Sequence, residues 1–230
     1  LYSDFGKERV TIFALDTEAM LGRAQFAFDW ATTPLAEAPG TIVEPGSVER
    51  EPALDGVVVP LRPHFGTMGV APAAAGRHSS IPPGDHGGNI DNWRIGAGGR
   101  MHYPVQVPGA LLSVGDPHVS QGDGEVSGTA LEASLNGLLR LTVRRDLAIT
   151  VPVLETAHEL LVHGFGDDLD EAMRAASLRA LDLLATRFGL SRDDGYAFMS
   201  VAVDFTVTQV VDGRQGVHAR IDKRCFPRWP

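Results

Sequence analysis

Cysteine is nearly absent: the chain of 230 residues holds one, Cys225. That count excludes a disulfide framework and a thiolate zinc site. Basic side chains are also scarce, 20 Lys and Arg against 29 Asp and Glu, for a formal charge of −9. Such a balance argues against nucleic acid and anionic membranes as partners. No apolar run approaches the roughly 18 residues that a membrane span needs. Internal repeats and low-complexity tracts are missing too, and the Arg144–Arg145 pair reads as a solvated strand end. A soluble, globular, cytoplasmic protein is expected, with one core or one domain plus a small appendage. The sequence opens on Leu1 rather than Met, so a targeting segment upstream would be invisible here.

Glycine, by contrast, is concentrated. Fourteen of the 26 glycines fall between Gly66 and Gly128. Glycine is costly to order, so this density marks tight turns or backbone packed closely against something. Around it the chain reads in three parts. Residues 1–56 hold a strand, Val10–Asp16, and a surface connection from Ala31 to Gly56 containing Pro34, Pro39, Pro45 and Pro52. Residues 57–146 form a β-rich core. Its strands are expected at Val57–Leu61, Thr67–Val70, Met101–Val107, Ala110–Val114, Glu125–Glu132 and Leu138–Arg144.

Residues 147–230 form an α+β unit. Strand is expected at each end of Ile149–Val162. A helix starts at an Asp168/Glu171 capping box, carries Leu169, Met173, Ala176, Ala180 and Leu184, and ends near Gly189. A second helix starts at Ser191 with Asp194 and runs to about Ser200. A strand, Val203–Val211, turns at Asp212-Gly213 and pairs back with Val217–Ile221. The expected architecture is α+β: an antiparallel β-sandwich or barrel-like core with a C-terminal helix–helix–β-hairpin unit. A homo-oligomer is expected because such a sheet has edges to cover.

Two segments concentrate the chemistry. Gly84–Asp91 and Gly115–Glu125 together offer His86, Asp91, Asp116, His118, Asp123 and Glu125 among glycines. Imidazole with carboxylate suits zinc and similar divalent ions, and a further carboxylate nearby can take a proton from water. Asp–Gly pairs also make ordinary turns. Two His/Asp-bearing loops in so short a stretch favour a site. Other patterns fail. His158 and His163 are five apart, about 140° apart on a helix, so they are expected in loops or at strand ends rather than on one metal. Gln121 occupies the glycine position of a calcium loop, no Gly-x-Ser-x-Gly surrounds Ser113, and Gly96–Gly99 matches no phosphate cradle. His64, His78 and His102 have no evident partner and default to structural roles.

The strings Pro60–Pro72, Ile81–Pro83, His86–Asp91, Pro104–Ala110 and Ser113–Glu125 resemble the acetamidase/formamidase family, as do Asp168–Arg174 and Ser200–Val217. The resemblance covers about residues 57–226, and Gln121-Gly-Asp-Gly-Glu125 is its most specific string. It implies hydrolysis of short aliphatic amides, of the formamide or acetamide type, to carboxylate and ammonia by water activated on a divalent metal, zinc. Carried onto this chain, it makes Asp91, Asp116 and His118 the metal ligands and Glu125 the general base. Asn89, with backbone N–H groups at Gly87 and Gly88, would stabilise the oxyanion. His86, Gln121 and Trp93 would line the substrate pocket.

The family is usually longer at its N-terminus, and His64 stands where an aromatic or other apolar side chain is expected. These departures favour a rival reading, a non-catalytic metal-stabilised β scaffold or small-ligand binder. A nearer rival keeps the chemistry and takes larger or cyclic amides.

Overall fold

Capping chemistry sets the long helix where expected. In the computed structural model, which describes residues 4–5, 8–32, 46 and 48–228, α1 (Leu169–Phe188) begins where Asp168 Oδ1 accepts the Glu171 N–H at 2.8 Å. It ends at Gly189, whose φ of 68° lets its N–H reach back to Ala185 and Leu184 carbonyls. Helix α2 (Arg192–Ala202) starts in the same way, with Ser191 Oγ accepting from Asp194 N at 3.0 Å. The buried stripe of α1 differs from the expected one. Leu169 and Met173 are exposed, whereas Ala172, Ala176, Ala180 and Leu184 are fully buried.

The reason lies in strand β10 (Glu159–Gly166) beneath. A Cβ at Gly164 would fall 2.6 Å from the Ala176 Cα and 2.7 Å from the Ala172 carbonyl oxygen. The helix therefore rests on backbone, and only alanine fits at the closest approach.

β10 is central in an antiparallel sheet with β6 (Arg100–His102), β9 (Val153–Glu155), β11 (Val203–Gln209) and β12 (Gln215–Asp222), in the order β11-β12-β10-β9-β6. Alternation divides its side chains between two buried faces. Leu160, Val162, Ala219 and Ile221 pack with Leu181, Leu184 and Met199 of the helices. Leu161 and Phe165 pack on the other side with Ile90, Ile95 and Leu154. That second face also carries His163 and His218, which are cross-strand partners.

A second sheet, in the order β5-β4-β7-β8, comprises β4 (His64–Gly69), β5 (Gly87–Asn89), β7 (Ser113–Ser120) and β8 (Leu131–Glu132). Contacts divide the chain after Arg62. The front unit holds β1 (Arg9–Asp16), β2 (Leu21–Asp29) and β3 (Val58–Pro60), paired in that order. Of the expected surface connection, Pro34, Pro39 and Pro45 lie outside the described residues, and Pro52 is exposed.

The α+β class holds, but the sheets are open and do not close into a barrel. Several expected strands shrink for local reasons. Pro104, which has no N–H to donate, follows β6 soon after His102. Ala110 and Leu111 adopt φ of 57° and 54°, so the chain turns there and β7 begins at Ser113. Glu125 (φ 43°) and Gly128 (φ 78°) keep the stretch after β7 as loop, leaving Leu131–Glu132 as strand. Leu138–Arg144 alternates like a strand yet joins no ladder among the described residues, and Leu138, Leu141 and Val143 are exposed. The expected strands within Ile149–Val162 are β9 and β10, with His158 in the turn between them and His163 inside β10, not at a strand end.

An ion cluster joins the end of α1 to the sheet. Burial opposes charge on Glu155, but Lys223 Nζ at 2.8 Å, His102 Nε2 at 3.1 Å and Arg187 at 3.8 Å outweigh it and hold its carboxyl down to about 2. His102 thus has a partner after all.

Because this folded-state value is depressed from an ordinary 4.5, the stabilisation is complete above that range and drains away as pH falls towards 2. Glu155→Gln is expected to cost about 2 kcal/mol at neutral pH, judged by charged hydrogen bonds. The gap from the parent, read in urea titrations, should narrow as the medium is acidified. Gly164→Ala is expected to cost about 1–3 kcal/mol by forcing the helix off the strand, seen as a lower urea midpoint.

Candidate active site

β4 and β7 lay out the site by register. His64 lies opposite His118, and His118 opposite Glu132 of β8. Two residues before His118, Asp116 projects from the same face, across from Gly66. The Gly66 carbonyl in turn accepts the Asp91 N–H at 3.1 Å, which brings Asp91, two residues past β5, to the same spot. Asp91 adopts φ of 51° to do so. Its neighbour Asn92 anchors this turn from behind, donating through Nδ2 to His163 Nε2 at 3.0 Å while His163 Nδ1 donates to the Pro152 carbonyl at 3.0 Å. Burial keeps His163 neutral, lowering its pKa to about 4.

The Gln121–Glu125 loop is fixed from the other sheet. Gly124 N donates to Thr208 O, and Val210 N to Gly124 O, both at 3.0 Å. Glu125 is thereby tied to the end of β11, and the turn that follows contributes Asp212.

The result is a cluster of Asp91, Asp116, His118, Glu125, Glu132 and Asp212. Three overlapping sets each place one ligand atom per residue within 4.8 Å of the others: Asp91–Asp116–His118, His118–Glu125–Glu132 and Asp91–Glu125–Asp212. His118 Nε2 stands 3.1 Å from Asp116 Oδ1 and 3.3 Å from Glu132 Oε1. Burial opposes charge on this imidazole, but those carboxylates outweigh it and raise its pKa. Burial first, then neighbouring Glu125, drives the Asp91 carboxyl far up; burial likewise raises Asp212, and Glu125 to about 7. Asp91 Oδ1 and Asp212 Oδ2 are buried and have no hydrogen-bond partner. Buried carboxylates left this way suit a cation between them.

A Cβ at Gly66 would sit 2.6 Å from Asp116 Oδ2 and 2.7 Å from His118 Cε1, besides colliding with Asp91 Oδ1. The strand thus leaves open the space at which these three residues converge. Hard oxygen donors with one imidazole fit a divalent ion there.

The other expected residues divide. Gln121 is buried behind the cluster: Oε1 lies 2.9 Å from His64 Nε2 and 3.1 Å from His118 Nδ1, and Nε2 donates to Asp91 O at 2.6 Å. Asn89 accepts from Thr67 Oγ1 and donates to Asp212. The Gly87 N–H is engaged by the Gly84 carbonyl at 2.9 Å. Asp123 turns away to Arg94 Nη1 at 2.6 Å and Trp93 Nε1 at 2.8 Å, with the guanidinium stacked on the indole. Trp93 therefore braces the loop beside the cluster.

His86 lies apart, in a cleft of about 380 Å³ that also includes His78, Pro83 and Arg214. Sequence reasoning missed Glu132, Asp212 and His64. Asp212 reads simply as a turn residue, and only the register of β7 reveals the other two. Gly66→Ala is expected to cut affinity for a divalent ion at this cluster by at least about 100-fold, beyond the effect usual for losing a supporting contact, in a chelator competition assay.

Residues 73–220 match the model of the acetamidase/formamidase family. The formamidase of Methylophilus methylotrophus is 29% identical over an alignment of 163 positions, covering 61% of this chain and 40% of that protein. The chain thus spans well under two thirds of that relative's length. Among solved structures, an acetamidase from Yersinia enterocolitica is 29% identical with a TM-score of 0.68, covering 76% of this chain and 52% of its own. A predicted acetamidase/formamidase from Thermoanaerobacter tengcongensis is 26% identical with a TM-score of 0.73, covering 95% and 68%. With the family model matched over more than half its length, this chain belongs to the acetamidase/formamidase family.

Proposed function

We propose that this chain hydrolyses short aliphatic amides, of the formamide or acetamide type, to carboxylate and ammonia. The observation that carries the reading is the convergence of Asp91, Asp116 and His118 on the space above Gly66, with Glu125 alongside, in a member of this family. Asp91, Asp116 and His118 would hold a divalent ion, with zinc favoured by the mixed imidazole and carboxylate donors. When bound, such an ion supplies Lewis acidity, acidifying water and polarising a carbonyl oxygen.

The chain's own groups account for the proton traffic. Glu125 accepts a proton from the attacking water as its oxygen bonds to the amide carbon, then delivers it to nitrogen as the C–N bond breaks. Asn89 uses one amide hydrogen on Asp212, which leaves a second N–H to meet the developing oxyanion. Trp93, held on Asp123, and His86, in its separate cleft, are the proposed contacts for the remainder of the substrate.

Two further readings go with this one. The exposed apolar stretch containing Leu138, Leu141 and Val143 supports self-association. Cys225 is free and exposed, which suits the reducing cytoplasm, and no helix among the described residues is long and apolar enough to cross a membrane. The rival is a metal-stabilised binder without turnover.

Ammonia release from formamide and acetamide, measured with zinc and with excess chelator, decides between them. Turnover that zinc restores and chelator abolishes is expected, and Glu125→Gln should slow it by about 10²–10⁴-fold, the usual worth of general acid–base help. Bound zinc without ammonia would establish the binder, and full activity in Glu125→Gln would remove that residue from the proton path.

A further inference from the structure

We propose that Gln121 is a positioning residue whose amide selects the tautomer of His118, presenting Nε2 to a cation; this rests on reading the cluster as a metal centre. Gln121 is only 6% exposed, and its amide contacts follow from one another. The Asp91 carbonyl lies 2.6 Å from Nε2. A carbonyl oxygen can only accept, so the amide nitrogen must face it. A flipped amide would set two acceptors against each other at that distance inside the protein. The orientation of Gln121 is thus dictated by the main chain of a neighbouring site residue.

With the nitrogen so placed, Oε1 faces two imidazoles, His118 Nδ1 at 3.1 Å and His64 Nε2 at 2.9 Å. An amide oxygen has two lone pairs and no hydrogen, so a proton on each of these ring nitrogens satisfies it. The two nitrogens also lie 3.3 Å apart, a contact that a proton on His64 Nε2 alone would satisfy, and the tautomer of His118 distinguishes the two arrangements. A neutral imidazole has one N–H. Placing it at Nδ1 of His118 leaves the Nε2 lone pair free, and Nε2 is the atom that faces Asp116 Oδ1 and Glu132 Oε1. The opposite tautomer would aim a lone pair at Gln121 Oε1 and donate from Nε2 to the Asp116 and Glu132 carboxylates. The amide and those carboxylates therefore compete for the proton, and only the Nδ1–H form leaves Nε2 to a cation.

His64 takes the second lone pair and stands edge-on to the His118 ring at 5.0 Å between centroids, which limits tilting of that ring. Both oxygen lone pairs are occupied and the nitrogen is directed at Asp91. The amide therefore works on the protein rather than on a substrate.

The test uses the ¹⁵N-labelled full chain without metal, at alkaline pH where its imidazoles are neutral, with the His118 signals assigned by their loss in His118→Gln. Long-range ¹H–¹⁵N spectra should show His118 as the Nδ1–H tautomer. Gln121→Met, close in size but without amide groups, should move the ring towards Nε2–H and weaken zinc binding by about 10–100-fold, as lost support of a metal-binding histidine does. Gln121→Glu keeps an acceptor and should retain the Nδ1–H form.

An Nε2–H ring in the parent protein would overturn the proposal, and that spectrum is interpretable whether or not the variants fold. So would a folded Gln121→Met with unchanged tautomer and zinc affinity, including one in which only KM for amide rises. Neither readout needs turnover, so failure of the amidase reading would leave this result standing.

Discussion

Confinement of like charges dominates the site-bearing unit. Asp91, Asp116, Glu125, Glu132 and Asp212 approach one another around a single imidazole, and several of them are buried. At an effective dielectric of ~20, two unit charges 4 Å apart repel by about 4 kcal/mol. Holding such groups together requires a frame that cannot relax away from them. The frame consists of the β4–β7–β8 ladder, the left-handed turn at Asp91, and the pair of backbone hydrogen bonds between Gly124 and the end of β11. Each anchor comes from a different part of the sequence, so no single loop can retreat without breaking contacts made by another.

The sequence displayed what depends on neighbours along the chain. Caps at Asp168, Gly189 and Ser191 determined both helices almost to the residue, because capping is a local contest for backbone hydrogen bonds. The glycine-flanked segments around Asp91 and His118 were likewise visible as places where the backbone must turn tightly. Strand extents were not visible to the same degree. Leu138–Arg144 has the right alternation and no ladder among the described residues, since pairing requires a partner that the pattern does not name. His64 and Glu132 joined the site only through register, as residues facing His118 across two different strands. The fully buried stripe of α1 was misjudged for a related reason: apolar side chains marked the helix, while Gly164 in another element decided which of them it could bury.

The five-stranded sheet serves two masters. One face meets the helices through aliphatic side chains, and the other carries His163 and His218 towards the loops of the site. His163 fixes Asn92, while His218 bonds the hydroxyl of Thr208 at 2.7 Å, the residue whose carbonyl holds Gly124. Packing of the helical layer and placement of the acidic residues are therefore settled on opposite sides of the same strands. A shift of one residue in β10 or β12 would exchange the two faces, exposing imidazoles to the helices and aliphatics to the carboxylates.

Asp212 comes from the turn between β11 and β12, and one of its acidic partners, Asp91, from far earlier in the chain. A chain emerging from the ribosome N-terminus first can form the β4–β7 pairing early, but it cannot complete the acidic cluster until the β11–β12 hairpin has appeared and docked. Charge repulsion is thus postponed until the β4–β7 framework that must withstand it is already in place.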